Sequence, residues 1–354
     1  MCEKICCGVL LVSIVCFASE AADPWKDSTL GMRAIVKREF IADDFPTPSV
    51  HASTLVEVAP GKLVAAWFGG TNEGTRDVGI WLSRSVDTWS TPIEVANGLT
   101  GGTQNPCWNP VLFKTDSKRL LLFYKVGPSP KTWWGVMRES FDEGVSFGDA
   151  VNLPERILGP VKNKPIQLDS KTIIAGSSSE GHSLPPVWQV HFERSTDGGQ
   201  TFSRIQVPTQ KDSPAAIQPS ILTHRDGTLQ AVGRTQSGRI FSTRSFDRGL
   251  TWSALELLDL PNPNSGTDAI TLSDGRHLLV YNHTARGRSP LNIAVSTDGI
   301  VWKPVVTLES DPGEYSYPAI VTASDSLVHI TYTWKRKKIA HVVIDPAKLS
   351  ELAE

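Results

Sequence analysis

Cysteine is nearly missing from this chain. Of five, Cys2, Cys6, Cys7 and Cys16 fall in the first 16 residues and only Cys107 follows. A body starting beyond residue 21 can form no internal disulfide, so packing alone must hold it together. Long apolar runs are equally scarce. The longest, residues 5–17, has 13 residues, short of the roughly 20 that a membrane-spanning helix needs. An excess of charge is lacking too, since 35 Lys and Arg face 37 Asp and Glu for a net −2. That balance offers no basic face to nucleic acid and no basic patch to a membrane. The eight histidines fall at no paired ligand spacing, and no glycine-rich loop stands between a strand and a helix. Neither a metal nor a nucleotide cofactor is therefore expected.

What is present begins with a leader. Lys4 precedes the apolar run, and small residues follow up to Ala21 and Ala22. With Ser19-Glu20-Ala21 as the cleavage site, residues 1–21 read as a secretory signal, and a secreted or periplasmic location is expected. Ser13-Ile14-Val15-Cys16 lacks the small residue that usually precedes a lipidated cysteine, so no membrane anchor is expected. Residues 22–354 read as one body.

That body is repetitive. Ser195-Thr-Asp197-Gly-Gly199-Gln-Thr201-Phe202 and Ser245-Phe-Asp247-Arg-Gly249-Leu-Thr251-Trp252 are clean copies of one turn, and weaker copies start at Ser85, Ser140 and Ser296. Their serines lie 55, 55, 50 and 51 residues apart. A period near 50 built on short strands predicts a β-propeller, one blade per repeat. The turn itself is a folding device: the Asp bonds backbone amides, the Gly takes a positive φ, and the aromatic covers the hairpin.

Aligning the strand-like runs gives six blades. The first runs open at His51, Asn109, Lys164, Gln218, Asp268 and Tyr317, and residues 32–41 are expected to supply the outer strand that blade six lacks. Closure of this kind removes free sheet edges. The first strand of a blade is innermost, so the six opening residues should ring one mouth of the central channel. All six are polar, where an ordinary core would place Val, Ile or Leu. Such a ring suits a polar ligand. Loops at the same mouth add Glu73 and Asp77 beside Trp67 and Phe68, the pair Trp133 and Trp134, and the polar segment Lys162-Asn163-Lys164. Aromatic faces with polar donors suit a carbohydrate.

Over residues 32–345 the turns, the repeats and several other residues resemble the sialidase superfamily, which implies a six-bladed, all-β propeller acting on glycans. Sialidases bind a carboxylate with three arginines and use a tyrosine nucleophile. The resemblance assigns Arg239 and Arg288 to two of those arginines. It places the tyrosine in Glu314-Tyr315-Ser316-Tyr317-Pro318, as either Tyr315 or Tyr317, and draws the acid from the loop holding Glu73 and Asp77, with Asp268 as an alternative. Two positions depart from the family. His51 stands where its first arginine is expected, and the run carrying Arg234 has no acid to activate the tyrosine.

The expected activity is hydrolysis of a terminal acidic sugar by a monomeric, cofactor-free glycosidase. Glu314, Lys164, Asn109 and Gln218 join the arginines and His51 in binding substrate. A uronate lyase with His51 or Tyr317 as base, and a propeller that only binds sugar, are the competing readings.

Overall fold

The computed structural model describes residues 31–352 except 182 and 184–186; the expected leader, residues 1–21, lies outside the described residues. The chain forms six four-stranded antiparallel sheets arranged as the blades of a propeller. Blade one runs from the axis outward through Ser49–Ala59, Lys62–Gly70, Gly79–Ser85 and Ile93–Ala96. Blade two follows with Cys107–Lys114, Leu120–Val126, Trp134–Ser140 and Val151–Asn152, and blade three with Ile166–Gln167, Ile173–Glu180, Trp188–Ser195 and Ser203–Gln206. Blade four comprises Ala216–Thr223, Leu229–Thr235, Arg239–Ser245 and Glu256–Pro261, and blade five Asp268–Thr271, His277–Tyr281, Leu291–Ser296 and Lys303–Glu309. Blade six takes Tyr315–Thr322, Val328–Trp334 and Lys338–Ile344 from the C-terminal end of the chain. Its outer strand is Ile35–Phe40, paired antiparallel to Lys338–Ile344. This is the expected clasp, and it joins the two ends of the described chain in one sheet.

Burial explains why the strands read as they do. Leu120–Val126 is buried at every position, because blades cover both faces of a second strand. Val151–Asn152 at the rim is exposed throughout. Between blades the core is aliphatic and aromatic: Val280, Ile293, Leu308, Ile330 and Tyr332 fill the junction of blades five and six. Val64, Phe68, Ile80, Leu122 and Tyr124 fill that of blades one and two. Sheets covered on both faces need near-continuous hydrophobic runs rather than strict alternation.

The serine-aspartate turns join third to fourth strands. In blade four, Ser245 Oγ donates to Asp247 Oδ1 at 2.8 Å and receives Gly249 N at 2.8 Å, while Thr251 N and Oγ1 donate to the Asp247 carboxylate at 2.9 and 2.5 Å. Gly249 has φ +81°, which a side chain would strain. Ser140 and Ser195 open turns with the same bonding, and Ser296 opens one in which backbone amides alone, among them Val301 N, reach Asp298 beyond the serine. Because strands alternate in direction, all these turns lie on one face. The starts of the first strands and the loops between second and third strands lie on the other, which keeps the repeat device apart from the site below.

Hydrogen bonds from Thr251 hold the Asp247 carboxyl at about 2, below the ordinary carboxylate range. Asp247→Ala should cost about 1 kcal/mol of stability, read from urea unfolding. The sign follows from the depressed value: the cost should be complete above the unfolded carboxyl's ordinary range near 4 and vanish as pH falls through about 2.

Candidate active site

Four inner strands share one irregularity. Ala52, Asn109, Gln218 and Tyr317 have φ of +55°, +38°, +59° and +51°. Each sits where the register with the second strand slips: between His51 and Thr54, Trp108 and Val111, Ile217 and Ser220, and Ser316 and Ala319. A left-handed conformation costs a non-glycine residue roughly 1–2 kcal/mol. A bulge kinks its strand and re-aims a side chain. Pro110, Pro219 and Pro318 follow in three of the four cases, where the bulge leaves no ladder bond for a prolyl nitrogen to break. The alignment of opening residues is corrected by this register. His51 precedes the left-handed position by one residue, so Ala52 is the blade-one counterpart of Asn109, Gln218 and Tyr317.

Tyr317 is the centre of the site. Its ring lies 4.2 Å from that of His51, centroid to centroid, and the guanidinium carbons of Arg234 and Arg288 stand 5.4 and 5.7 Å from its own centroid. Arg234 also faces the Trp188 ring at 5.1 Å. Gly266 passes so close to the Tyr317 ring that a β-carbon there would meet it at 3.2 Å. Tyr315 lies elsewhere. It is buried in the core of blades five and six beside Trp334, and burial, with Glu309 and Asp311, pushes its phenol up to about 12.

A third arginine arrives from an unforeseen place. Arg336, in the turn between Trp334 and Lys338, donates from Nε to Glu314 Oε1 and from Nη1 to Glu73 Oε2, both at 2.6 Å. Arg288 Nη1 donates to the same Glu314 oxygen at 3.1 Å. One carboxylate therefore aligns the arginines of blades five and six, and Glu73 ties them to blade one. Ion pairs of this exposure contribute about 1 kcal/mol or less to stability; their use here is orientation. Arg239, expected in this cluster, is not part of it. It opens the third strand of blade four, half exposed, and pairs with Asp259 at 2.6 Å. Arg234, five residues earlier and buried, takes the inward place.

His51 is 1% exposed and packs between Tyr317 and Phe68. Neither ring nitrogen has a partner among the described residues. Burial, reinforced by Arg336, Arg288, Arg234 and Lys162, holds it well below its ordinary pKa, so the imidazole is neutral. Both acids expected from the blade-one loop are engaged. Asp77 accepts Thr71 N and Oγ1 at 2.8 and 2.7 Å, and hydrogen bonds from Thr75 and Thr71 keep it ionised below the usual range. Glu73 is held by Arg336.

Asp268 lies deeper on the axis and serves structure. It receives Lys164 Nζ at 2.9 Å, Ser220 Oγ at 2.8 Å, Ala269 N at 2.9 Å and Ile320 N at 2.9 Å. Beside it Lys162 Nζ donates to the carbonyls of Thr267, at 3.1 Å, and of Pro318, while Asn163 Nδ2 holds the Gln218 carbonyl at 2.9 Å. Burial pushes the Lys162 ammonium down to about 7. These bonds brace the backbone beneath Gln218 and Tyr317. Lys164 and Asp268 thus belong to a plug under the rim. Asn109 and Gln218 are buried at 5% and 2% exposure on the channel wall, with Gln218 Oε1 unpartnered.

Comparison with known proteins agrees with this architecture. The profile of the BNR repeat-like domain matches residues 61–330. The chain belongs to the BNR repeat-like family of the sialidase superfamily. A sialidase of Bacteroides fragilis (strain YCH46) is 24% identical over 88% of this chain, which spans 64% of that sialidase's length. Among solved structures, a protein of unknown function from Dyadobacter fermentans DSM 18053 superposes with a TM-score of 0.73 at 19% identity, over 88% of this chain and 98% of its own. The leech intramolecular trans-sialidase, complexed with 2,7-anhydro-Neu5Ac, gives 0.72 at 14% identity over 88% and 70%. At these identities the structural likeness fixes the fold. Within this sialidase-superfamily propeller the basic cluster is Arg234, Arg288 and Arg336, and the sequence signal for the last was the run Lys335-Arg336-Lys337-Lys338 in a tight turn.

Asp268→Ala should destabilise the protein by about 1–3 kcal/mol, the cost of leaving the buried donors Ser220 Oγ and Ile320 N without their acceptor. Denaturant unfolding checks it. A catalytic acid would instead lose turnover at unchanged stability.

Proposed function

We propose that this chain is a sialidase-type glycosidase that removes a terminal acidic sugar from a glycan. The observation that carries the reading is the convergence of three guanidinium groups, from blades four, five and six, on the packed pair of His51 and Tyr317. Charge-assisted bonds from arginine are the strongest available recognition of a carboxylate. Among the described residues Arg234 makes no side-chain hydrogen bond, and Arg288 bonds Glu314 through Nη1, so guanidinium donors remain for an anion.

A sugar carboxylate held by these arginines brings its anomeric carbon over Tyr317. The phenol oxygen then attacks that carbon as the bond to the leaving sugar breaks, its own proton passing to water, or shields the positive charge that develops there, an accepted departure from the two-carboxylate scheme. The two flanking guanidinium groups stabilise negative charge on that oxygen. Gln218 provides no carboxylate at the wall beside the tyrosine. The neutral ring of His51, packed on Tyr317, instead fixes the orientation of the phenol ring.

Burial also weighs between the readings. A lyase needs a base that reaches a proton on the substrate, and His51 is covered by Tyr317 and Phe68. That removes His51 as the base of an elimination and leaves Tyr317 as the one group either reaction would use. With residues 1–21 read as a secretory signal, the proposed substrate is an extracellular or periplasmic glycan, cleaved without a cofactor by a monomer.

The test is release of acidic sugar from a sialylated oligosaccharide by purified protein. Arg234→Ala, Arg288→Ala and Arg336→Ala should each lower kcat/KM by about 10- to 100-fold, the worth of one hydrogen bond to a charged group. Tyr317→Phe should lower kcat by about 100-fold or more, while Arg239→Ala and Tyr315→Phe leave it within about 3-fold. Appearance of an ultraviolet-absorbing unsaturated product, or equal loss from Arg239→Ala, would overturn the reading.

A further inference from the structure

The proposed hydrolysis lacks one participant. A leaving sugar oxygen needs a proton, and the rim carboxylates described above are already committed. Glu73 is paired with Arg336, Glu314 with Arg288 and Arg336, and Asp268 with Lys164. Asp77 is bound by a backbone amide and a hydroxyl.

Glu180 differs from all of these. It ends the second strand of blade three, at the mouth where Glu73, Arg234, Arg288 and Arg336 also lie, and among the described residues it makes no ion pair. Its carboxyl receives a hydrogen bond from Trp188 Nε1 at 3.2 Å, and the two residues face each other across the strand pair. Gly181 N bonded to Val187 O at 2.8 Å extends that pairing, so the carboxyl is carried on a sheet rather than on a free loop. The Trp188 ring that donates to Glu180 is the ring over which Arg234 sits, and Arg234 in turn flanks Tyr317. A continuous path of contacts thus runs from the carboxyl to the tyrosine.

Resting on the glycosidase reading above, we infer that Glu180 is the general acid and base of this site, giving its proton to the oxygen of the departing sugar. The groups facing it are Arg234 of blade four, Lys131 of the blade-two loop, Glu73 of the blade-one loop and Trp188 of its own blade. Burial raises its carboxyl above the ordinary glutamate value despite the lowering effects of Arg234, Trp188 and Lys131, and Glu73 raises it further. A carboxyl that holds its proton more tightly than an ordinary glutamate has the property the step requires. As the glycosidic bond breaks, its electron pair stays on the leaving oxygen, which takes the Glu180 proton. Water then adds to the anomeric carbon and returns a proton to the Glu180 carboxylate. The net change is one glycosidic bond and one water exchanged for two hydroxyls, and the enzyme is restored.

The test compares two leaving groups. Glu180→Gln should slow hydrolysis of 3′-sialyllactose by about 100-fold or more, and of a 4-methylumbelliferyl sialoside, whose phenol departs without protonation, by less than about 10-fold. The wild-type fall in kcat toward high pH should vanish in the variant, and a thermal melt matching wild type shows that the fold is intact. Equal losses on both substrates, or none, would overturn the assignment. If wild type and Glu180→Gln act alike while Arg288→Ala is inactive, Glu180 alone is wrong. If wild type cleaves neither substrate, the glycosidase reading fails and takes this inference with it.

Discussion

The site rests on one buried carboxylate. Asp268 receives a lysine from the segment entering blade three, a serine from blade four, its neighbouring amide in blade five and an amide from blade six. Inner strands of a propeller make few hydrogen bonds across the axis, because each ladder is complete within its own blade. A charge that is ligated from several blades supplies what the sheets cannot, a fixed angular relation among them. Lys162 and Asn163 extend the same bracing to the carbonyls of Pro318 and Gln218. Burying such charges is costly unless each is paired and bonded. Here the arrangement sits directly beneath the residues whose placement matters.

Above that plug, local strain is used for aim. The left-handed residues of four blades lie at register slips, three of them followed by proline. Together they cost several kcal/mol, on the order of 1–2 each. Strain of this kind persists only where the surroundings over-determine it. The contacts of Tyr317 meet that condition: His51 packs on its ring, Gly266 passes close to its edge, Lys162 holds the next carbonyl, and two guanidinium groups flank it. Glu314 then aligns Arg288 and Arg336 from one oxygen.

The fold was legible because its determinants are local. The Ser-Asp-Gly-Thr turn carries its own hydrogen bonds, so its spacing survives in the sequence and counts the blades. The clasp strand was legible from the missing fourth run of blade six. The site was less so, since strand parity and bulges decide which side chains turn inward. Arg239 and Arg234 both lie near the same hairpin of blade four, and only the register shows that the earlier one is buried. A bulge between Ser316 and Ala319 separates Tyr315 from Tyr317, which spacing alone left open. Arg336 comes from a turn whose basic run reads like any solvated hairpin. Glu180 escaped notice because its strand continues four residues past Gly176, where the hydrophobic run ends.

Arg234, Arg288 and Arg336 thus reach one mouth from blades four, five and six, and under the proposed function blade six supplies the arginine that His51 replaces in blade one. The most direct measurement of this account is a crystal structure with the 2-deoxy-2,3-didehydro analogue of a sialic acid. The account predicts the ligand carboxylate within hydrogen-bond distance of Arg234, Arg288 and Arg336, with the anomeric carbon facing the Tyr317 hydroxyl. A ligand bound at the opposite mouth of the channel, or a carboxylate held by Arg239 instead, would contradict it.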